Sequence, residues 1–163
     1  MFRKILLPLD GSALAERAIE PAVDFGKMAG AEVLLLKVIQ GPWLQTPEGG
    51  ATEEYKIAVE RANQAAAYLE KVASRFAGES VKTRILVPCG EPYAEILRAA
   101  HDEDVDFIVM ATHGGTNLER ATIGTTAEKV LYATKRPVFL VKPERTRVAH
   151  HIDEGEVFRV PTQ

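Results

Sequence analysis

Cysteine is nearly absent from this sequence: Cys89 is the single one among 163 residues. One cysteine cannot form a disulfide within the chain, which is typical of proteins that work in a reducing compartment. Long apolar runs are missing as well, since none approaches the roughly 20 residues that a membrane-spanning helix needs. The first residues carry neither the apolar segment nor the cleavage site of a secretory signal. We therefore expect a cytoplasmic protein that makes no membrane contact.

An excess of positive charge is also lacking. The chain has 20 Lys and Arg against 23 Asp and Glu, which gives a formal net charge of -3. Such a weakly acidic surface offers no broad electrostatic footprint for DNA or RNA, so we expect no nucleic-acid partner. Hydrophobic residues make up 46% of the chain and charged residues 26%. That balance is typical of one globular domain whose core needs no disulfide and no structural metal.

Several signatures of catalysis and of nucleotide binding are missing too. The sequence has no G-x-x-x-x-G-K-[ST] loop and no G-x-G-x-x-G fingerprint, so it is neither a P-loop protein nor a standard dinucleotide-binding one. No serine or cysteine nucleophile motif accompanies His113, which we interpret as a residue that shapes its loop. His150 and His151 lack the third ligand that would indicate zinc. We therefore predict no catalytic residue and no metal held by side chains.

What the sequence does contain is an alternation of strand-like and helix-like segments. Five short runs are nearly continuous in Val, Ile and Leu, which is typical of strands buried on both faces of a parallel sheet. These runs are Lys4–Leu9, Glu32–Ile39, Val81–Val87, Asp106–Ala111 and Pro137–Lys142. Cys89 is expected at the end of the third strand as a small buried residue. Four segments with helical spacing lie between the five runs. The order predicts an α/β fold with an open, doubly wound, Rossmann-like sheet of five parallel strands. The spacing alone leaves both 3-2-1-4-5 and 2-1-3-4-5 open as strand orders.

The helix boundaries follow from caps and breakers. Ser12 is a good N-cap for the first helix, Pro21 should kink or split that helix, and Gly30 should close it. Pro92 suits the first turn of the third helix. The second helix should end at Gly78, the third should cover about Glu91–His101, and the fourth should follow Gly124 with Ala127, Val130 and Leu131 facing inward.

The segment "MATHGGTNLERATIGTTAEKVL", Met110–Leu131, connects the fourth strand to the fourth helix. Gly114 and Gly115 permit close approach of the backbone to a ligand. Gly124, Thr125 and Thr126 open the helix, where free N–H groups and the helix dipole attract anions. These parts fit a phosphate, but glycines and threonines also serve as plain turn and cap residues. From spacing alone both interpretations stay open.

Several stretches of the chain resemble the universal stress protein family over roughly residues 1–142. "ILLPLDGS" resembles the family's first strand and its following aspartate, "VLLLKV" its second strand, and "GEPYAEILRAA" its third helix. The family's nucleotide-binding pattern is Gly, two residues, Gly, nine residues, Gly, then Ser or Thr. Here Gly114, Gly124 and Thr125 fit that pattern, and Ala111 stands in place of its first glycine. The added methyl fits with little penalty if Ala111 keeps ordinary strand angles, but it could weaken binding if a ligand packs on that Cα.

The resemblance implies strand order 3-2-1-4-5, an α/β domain over residues 1–142 and a C-terminal extension over 143–163. It also implies a homodimer through the last strand and a stress-response function with ATP, or another adenine nucleotide, bound together with Mg²⁺. Asp10 would accept hydrogen bonds from the adenine or the ribose, and the glycine-rich loop would take the phosphates. The implied binding residues are Pro8, Leu9, Asp10, Val38, Met110, Ala111, Gly114, Gly124, Thr125 and Thr126.

Three functions follow from these observations. The first is an ATP-binding regulatory module with slow hydrolysis at most, because no water-activating group is evident. The second is a family member that has lost nucleotide binding and acts through protein contacts alone, which Ala111 favours. The third is an ATP pyrophosphatase or nucleotidyltransferase on a related fold. It ranks lowest because "LDGSALAE" after the first strand matches neither of the loops that those enzymes use.

Overall fold

The computed structural model describes residues 2–40, 53–112 and 123–142. Its centre is a sheet of five parallel strands in the order β3-β2-β1-β4-β5. The predicted fold class is therefore confirmed, and the alternative order 2-1-3-4-5 is excluded. The strands are β1 Lys4–Pro8, β2 Glu32–Leu36, β3 Thr83–Leu86, β4 Phe107–Ala111 and β5 Val138–Val141.

Four α-helices connect the strands. They are α1 Ile19–Ala29, α2 Glu53–Gly78, α3 Pro92–Asp102 and α4 Thr125–Ala133. Each crossover runs between parallel strands, and the helices cover both faces of the sheet. One apolar core joins β1 and β2 to α1 and α2, with Leu7, Ile19 and Leu69 fully buried. The second core joins Leu6, Ile96 and Val130 on the opposite face, where α3 and α4 pack.

The predicted N-cap role of Ser12 is confirmed only for the 3-10 turn that precedes the first helix, because α1 itself begins at Ile19 with Ala18 as its N-cap. Ser12 Oγ accepts a hydrogen bond from the Ala15 N–H at 3.1 Å, and a short 3-10 helix covers Ala15–Ala18 before α1 begins. Pro21 is the third residue of α1, where a backbone N–H would have no partner within the helix. The proline therefore splits the segment rather than kinking a longer helix. Gly30 closes α1 with φ +60°, as predicted.

Two sequence-based expectations were wrong. Leu131 was expected to face inward, but its side chain is 39% exposed because α4 buries only Ala127 and Val130. Cys89 was expected as a small buried residue at the end of the third strand. The strand ends three residues earlier, at Leu86, and Cys89 is half-buried in an isolated bridge to Ile39.

Several predicted residues lie outside the described part of the chain. These are His113, Gly114, Gly115, His150, His151 and the extension 143–163. Within the described residues, no helix combines the length and the apolar character that crossing a membrane requires.

Candidate functional site

The carboxyl ends of β1 and β4 lie side by side at the point where the strand order reverses. Ile5 pairs with Phe107 and Leu6 with Ile108, so continuing this register brings Pro8 level with Met110. Chain connections leave β1 toward one face and β4 toward the other, which opens a crevice between them. Ligands of open α/β sheets bind in crevices of this kind. The predicted residues at the ends of these two strands, Pro8 and Met110, are therefore brought together.

The turn after β1 fixes the orientation of Asp10. Its Oδ1 accepts a hydrogen bond from the Ser12 N–H at 2.8 Å, which is a side-chain-stabilised turn. Gly11 between them has φ +89°, a conformation that glycine adopts without steric cost. Asp10 is exposed, so its carboxylate is oriented by the turn and still accessible to a ligand.

The start of α4 is joined directly to the end of β4. The N–H of Thr112, one residue beyond β4, donates to the Val141 carbonyl at 2.9 Å, and the Thr112 carbonyl accepts the Gly124 N–H at 2.5 Å. Thr112 is only 5% exposed, so this junction between β5, β4 and α4 is buried. The two ends of the glycine-rich segment therefore meet, whatever path its residues 113–122 take.

The first turn of α4 has the features of an anion site. Gly124 is the residue before the helix, with φ -71° and ψ 153°, so the helix start has no N-cap side chain to accept its first N–H groups. Thr125 is exposed and Thr126 is half-buried, and both carry hydroxyl groups. The helix dipole adds positive potential here. Glu128 in the same first turn is exposed and opposes part of that potential.

The apolar site residues divide between the two faces of the sheet. Val38 and Met110 pack in the core that α3 and α4 cover, so they can form one wall for a flat apolar group. Leu9 packs in the opposite core, and its N–H already donates to the Leu36 carbonyl at 2.8 Å. A contact from Leu9 to a ligand would therefore use its carbonyl group.

Ala111 keeps the geometry of a strand. It is the last residue of β4 and pairs with Val141 of β5, and it is not among the described non-glycine residues with positive φ. An alanine in this position carries no backbone strain. The residue is 8% exposed at the carboxyl end of β4, so the alanine is compatible with the fold and any effect of its methyl would be on ligand binding.

Sequence reasoning missed a polar cluster beside Asp10. Lys37 Nζ donates a hydrogen bond to the Asp10 carbonyl and lies 5.2 Å from the centroid of the Tyr68 ring. The Tyr68 hydroxyl donates to Glu16 Oε1 at 3.0 Å. Burial and then this hydrogen bond raise the pKa of Tyr68, so its hydroxyl stays protonated. One sequence feature could have indicated the cluster: Lys37 interrupts the otherwise apolar run "VLLLKVI".

A separate cavity of about 230 Å³ lies beyond the ends of β2 and β3, against the first turns of α2. Its lining includes Ile39, Ile57, Arg61 and Cys89 and contains none of the predicted site residues. Across the described ranges, no group of three or more His, Cys, Asp or Glu side chains is placed to hold a metal ion.

Comparison with known proteins places these features in a family. Residues 1–142 match the model of the universal stress protein family. The solved structure of the protein MJ0577 from Methanocaldococcus jannaschii is similar at a TM-score of 0.79 and 31% identity, covering 90% of this chain and 99% of that one.

Two solved structures of family members contain nucleotides. A universal stress protein in complex with cAMP has a TM-score of 0.64 and 16% identity, over 86% of this chain and 97% of its own. One from Archaeoglobus fulgidus in complex with dAMP has a TM-score of 0.59 and 18% identity, again over 86% and 97%. Because the identities are this low, these two structures show only that they share the fold of this chain.

Proposed function

The chain belongs to the universal stress protein family, and from that premise we propose that it binds an adenine nucleotide, ATP with Mg²⁺, as a regulatory module in the stress response. The observation that carries the proposal is the hydrogen bond from the Gly124 N–H to the Thr112 carbonyl. It fixes the start of α4, where the N-cap residue Gly124 has no side chain, at the end of β4 and next to the strand that leads into Asp10. Relatives that bind cAMP and dAMP support the choice of an adenine nucleotide.

The residues on the two sides of the crevice have different proposed roles. The Asp10 carboxylate accepts hydrogen bonds from the ribose hydroxyls or the adenine amino group, which suits an acceptor-only side chain. Val38 and Met110 supply the apolar wall for the base. Pro8, Leu9 and Ala111 line the crevice mainly with backbone.

The phosphates lie at the start of α4. The N–H groups of the first turn and the hydroxyls of Thr125 and Thr126 donate to phosphate oxygens, as helix starts commonly do for anions. Gly114 belongs to this cradle by its place in the sequence. Mg²⁺ would be held by phosphate oxygens and water, as it is at many nucleotide sites. Hydrolysis is slow at most.

The second candidate function is a family member that binds no nucleotide and works through protein contacts. Two observations favour it: the methyl group of Ala111 in the crevice and the exposed Glu128 carboxylate in the first turn of α4. Both would reduce affinity for a polyanion.

The homodimer that the family resemblance implies has a physical basis in β5. This strand pairs with β4 on one side and ends the sheet on the other, and an uncovered strand edge is prone to pair with another chain. Phe139 in its middle is 43% exposed and contacts Phe25 edge-on at 4.9 Å between ring centroids. We propose that two copies pair through β5, in the cytoplasm.

The test compares the natural protein with Gly124→Val. The backbone angles of Gly124 are those of extended chain, which valine adopts readily, so the variant should fold. The purified protein is denatured, its supernatant is analysed for adenine nucleotides, and ATP is titrated into nucleotide-free protein by calorimetry. We expect bound or titratable ATP for the natural protein and none for the variant.

Gly78→Val is the matched control, because among the described residues nothing lies within 4 Å of a Cβ added there. It should bind ATP like the natural protein. Absence of retained nucleotide, together with no calorimetric binding at millimolar ATP, would favour the second candidate function.

A further inference from the structure

A lysine ties together the ends of β1 and β2. Lys37 directly follows β2 and precedes Val38, and its Nζ donates a hydrogen bond to the main-chain carbonyl of Asp10. The two strands are neighbours in the sheet, and just beyond them the Leu9 N–H donates to the Leu36 carbonyl at 2.8 Å, so the lysine side chain extends an existing main-chain link by one residue, to Asp10. Lys37 therefore connects Asp10, which is proposed to bind the ribose or the adenine, to the end of β2, where Val38 is proposed to contact the base.

The ammonium of Lys37 is held from a second side by Tyr68 on α2. Its Nζ lies 5.2 Å from the centroid of the ring, within the range of a favourable cation–π contact. The Tyr68 hydroxyl is itself fixed by its hydrogen bond to Glu16 Oε1 at 3.0 Å. The position of Nζ is therefore determined by three different elements of the fold.

The turn after β1 is shaped to receive this ammonium. A Cβ added to Gly11 would lie 3.0 Å from Lys37 Nζ, so the lysine fills the space where a side chain at position 11 would stand. The φ of +89° at Gly11 also favours glycine. Turn and lysine fit each other sterically as well as through the hydrogen bond.

We infer that Lys37 is a positioning residue for the adenosine end of the site, acting through the Asp10 main chain rather than on the phosphates. The inference rests on the proposed function. The Asp10 carbonyl is held by Lys37 and the Asp10 carboxylate by the Ser12 N–H, so the residue enters the crevice in one orientation. Tyr68, which contacts the ammonium, packs against the core that α1 and α2 cover, whereas α4 packs on the opposite face of the sheet, and this keeps Lys37 away from the start of α4.

The experiment titrates adenosine and ATP separately into three full-length variants and the natural protein. Lys37→Met keeps the apolar stem and removes the charge and the donor, and Lys37→Arg restores both. Lys27→Met is the matched control, because it removes an exposed lysine of α1 that pairs with Glu79 at 2.5 Å and is not among the proposed site residues. Thermal unfolding of each variant is measured in parallel.

The expected result is a loss of roughly tenfold in affinity for Lys37→Met, the size of one hydrogen bond to a charged donor. The loss should be equal for adenosine and ATP, Lys37→Arg should recover most of it, and Lys27→Met should show none. Natural affinity of Lys37→Met for both ligands would overturn the inference while leaving the proposed function intact.

Two further results would also overturn it. A loss for ATP alone would mean that Lys37 contacts phosphate directly. A loss that Lys37→Arg does not recover, accompanied by a lowered melting temperature, would mean that the lysine only holds the fold together. If the natural protein binds neither ligand, the proposed function fails and the inference fails with it.

Discussion

Replacing Gly26 with alanine should destabilise the protein, although helix propensity predicts the opposite. Gly26 is buried inside α1, where alanine is favoured over glycine by about 0.5–1 kcal/mol. A Cβ added there would lie 2.6 Å from Val81 Cγ1 and 3.3 Å from Val33 Cγ2. Real Cβ atoms essentially never approach a neighbour as closely as the first of these contacts. α1 can pack this closely against Val33 of β2 and Val81 because residue 26 has no side chain.

The packing term should exceed the propensity term. Val33 is fully buried and Val81 is 6% exposed, and branching at Cβ restricts the rotation by which either side chain could yield. Overpacking of a dense core typically costs about 1–3 kcal/mol. The 2.6 Å approach to Val81 puts the overpacking cost in the upper half of that range. After subtraction of the propensity gain, we expect Gly26→Ala to lower the free energy of unfolding by about 1–2.5 kcal/mol.

Urea unfolding followed by circular dichroism measures this difference, and Gly78→Ala is the control. Gly78 ends α2, and no described atom lies within 4 Å of its added Cβ. Its stability should be unchanged or higher by up to about 0.5 kcal/mol. If the clash is the cause, Gly26→Ala should cost less in a Val81→Ala background than alone. A Gly26→Ala protein as stable as the natural one would refute the packing argument.

Two other predictions concern Asp106, just before the start of β4, and Phe139 in the edge strand β5. Asp106 Oδ2 accepts hydrogen bonds from the N–H groups of Arg3 at 2.6 Å and Lys4 at 2.8 Å, and these bonds hold the pKa of the carboxyl below its ordinary value of 3.8. The stabilisation is therefore fully present above pH 3.8 and is lost as the pH falls through the lowered pKa. Asp106→Asn should lower the free energy of unfolding by about 1 kcal/mol at pH 7, and by progressively less in urea melts below pH 4. A cost that does not change with pH would contradict this role of Asp106. Phe139→Asp should convert the proposed dimer to a monomer, because it places a charge at an exposed position of the edge strand β5. Light scattering measures the molar mass, and a variant that keeps the dimer mass of the natural protein would exclude pairing through this strand.

The strands and helices could be predicted from the sequence because their signals are local. Apolar runs such as "EVLLL" and breakers such as Pro21 and Gly30 determine where an element begins and ends. Strand order could not be predicted this way, since both orders satisfy the same short crossovers, and only the family resemblance indicated the correct one. Leu131 was misplaced because α4 buries a narrower stripe than its helical spacing allows.

The candidate site was predictable in its residue types and not in its contacts. Gly124 and its two threonines carry the chemistry of an anion site in the sequence itself. The hydrogen bond from Gly124 to Thr112 and the one from Lys37 to Asp10 join residues that are 12 and 27 positions apart. Contacts of that kind depend on how the sheet brings strand ends together, which spacing does not reveal.

The central claim is that backbone N–H groups at the start of α4 hold the phosphates of an adenine nucleotide. Amide chemical shifts recorded while ATP, and separately adenosine, is titrated into isotope-labelled protein test it most directly. We expect ATP to shift the amides of Thr125 and Thr126 strongly, adenosine to leave them nearly unchanged, and both ligands to shift Val38 and residues around Asp10. Saturating ATP that leaves the amides of Thr125 and Thr126 in place would contradict the claim.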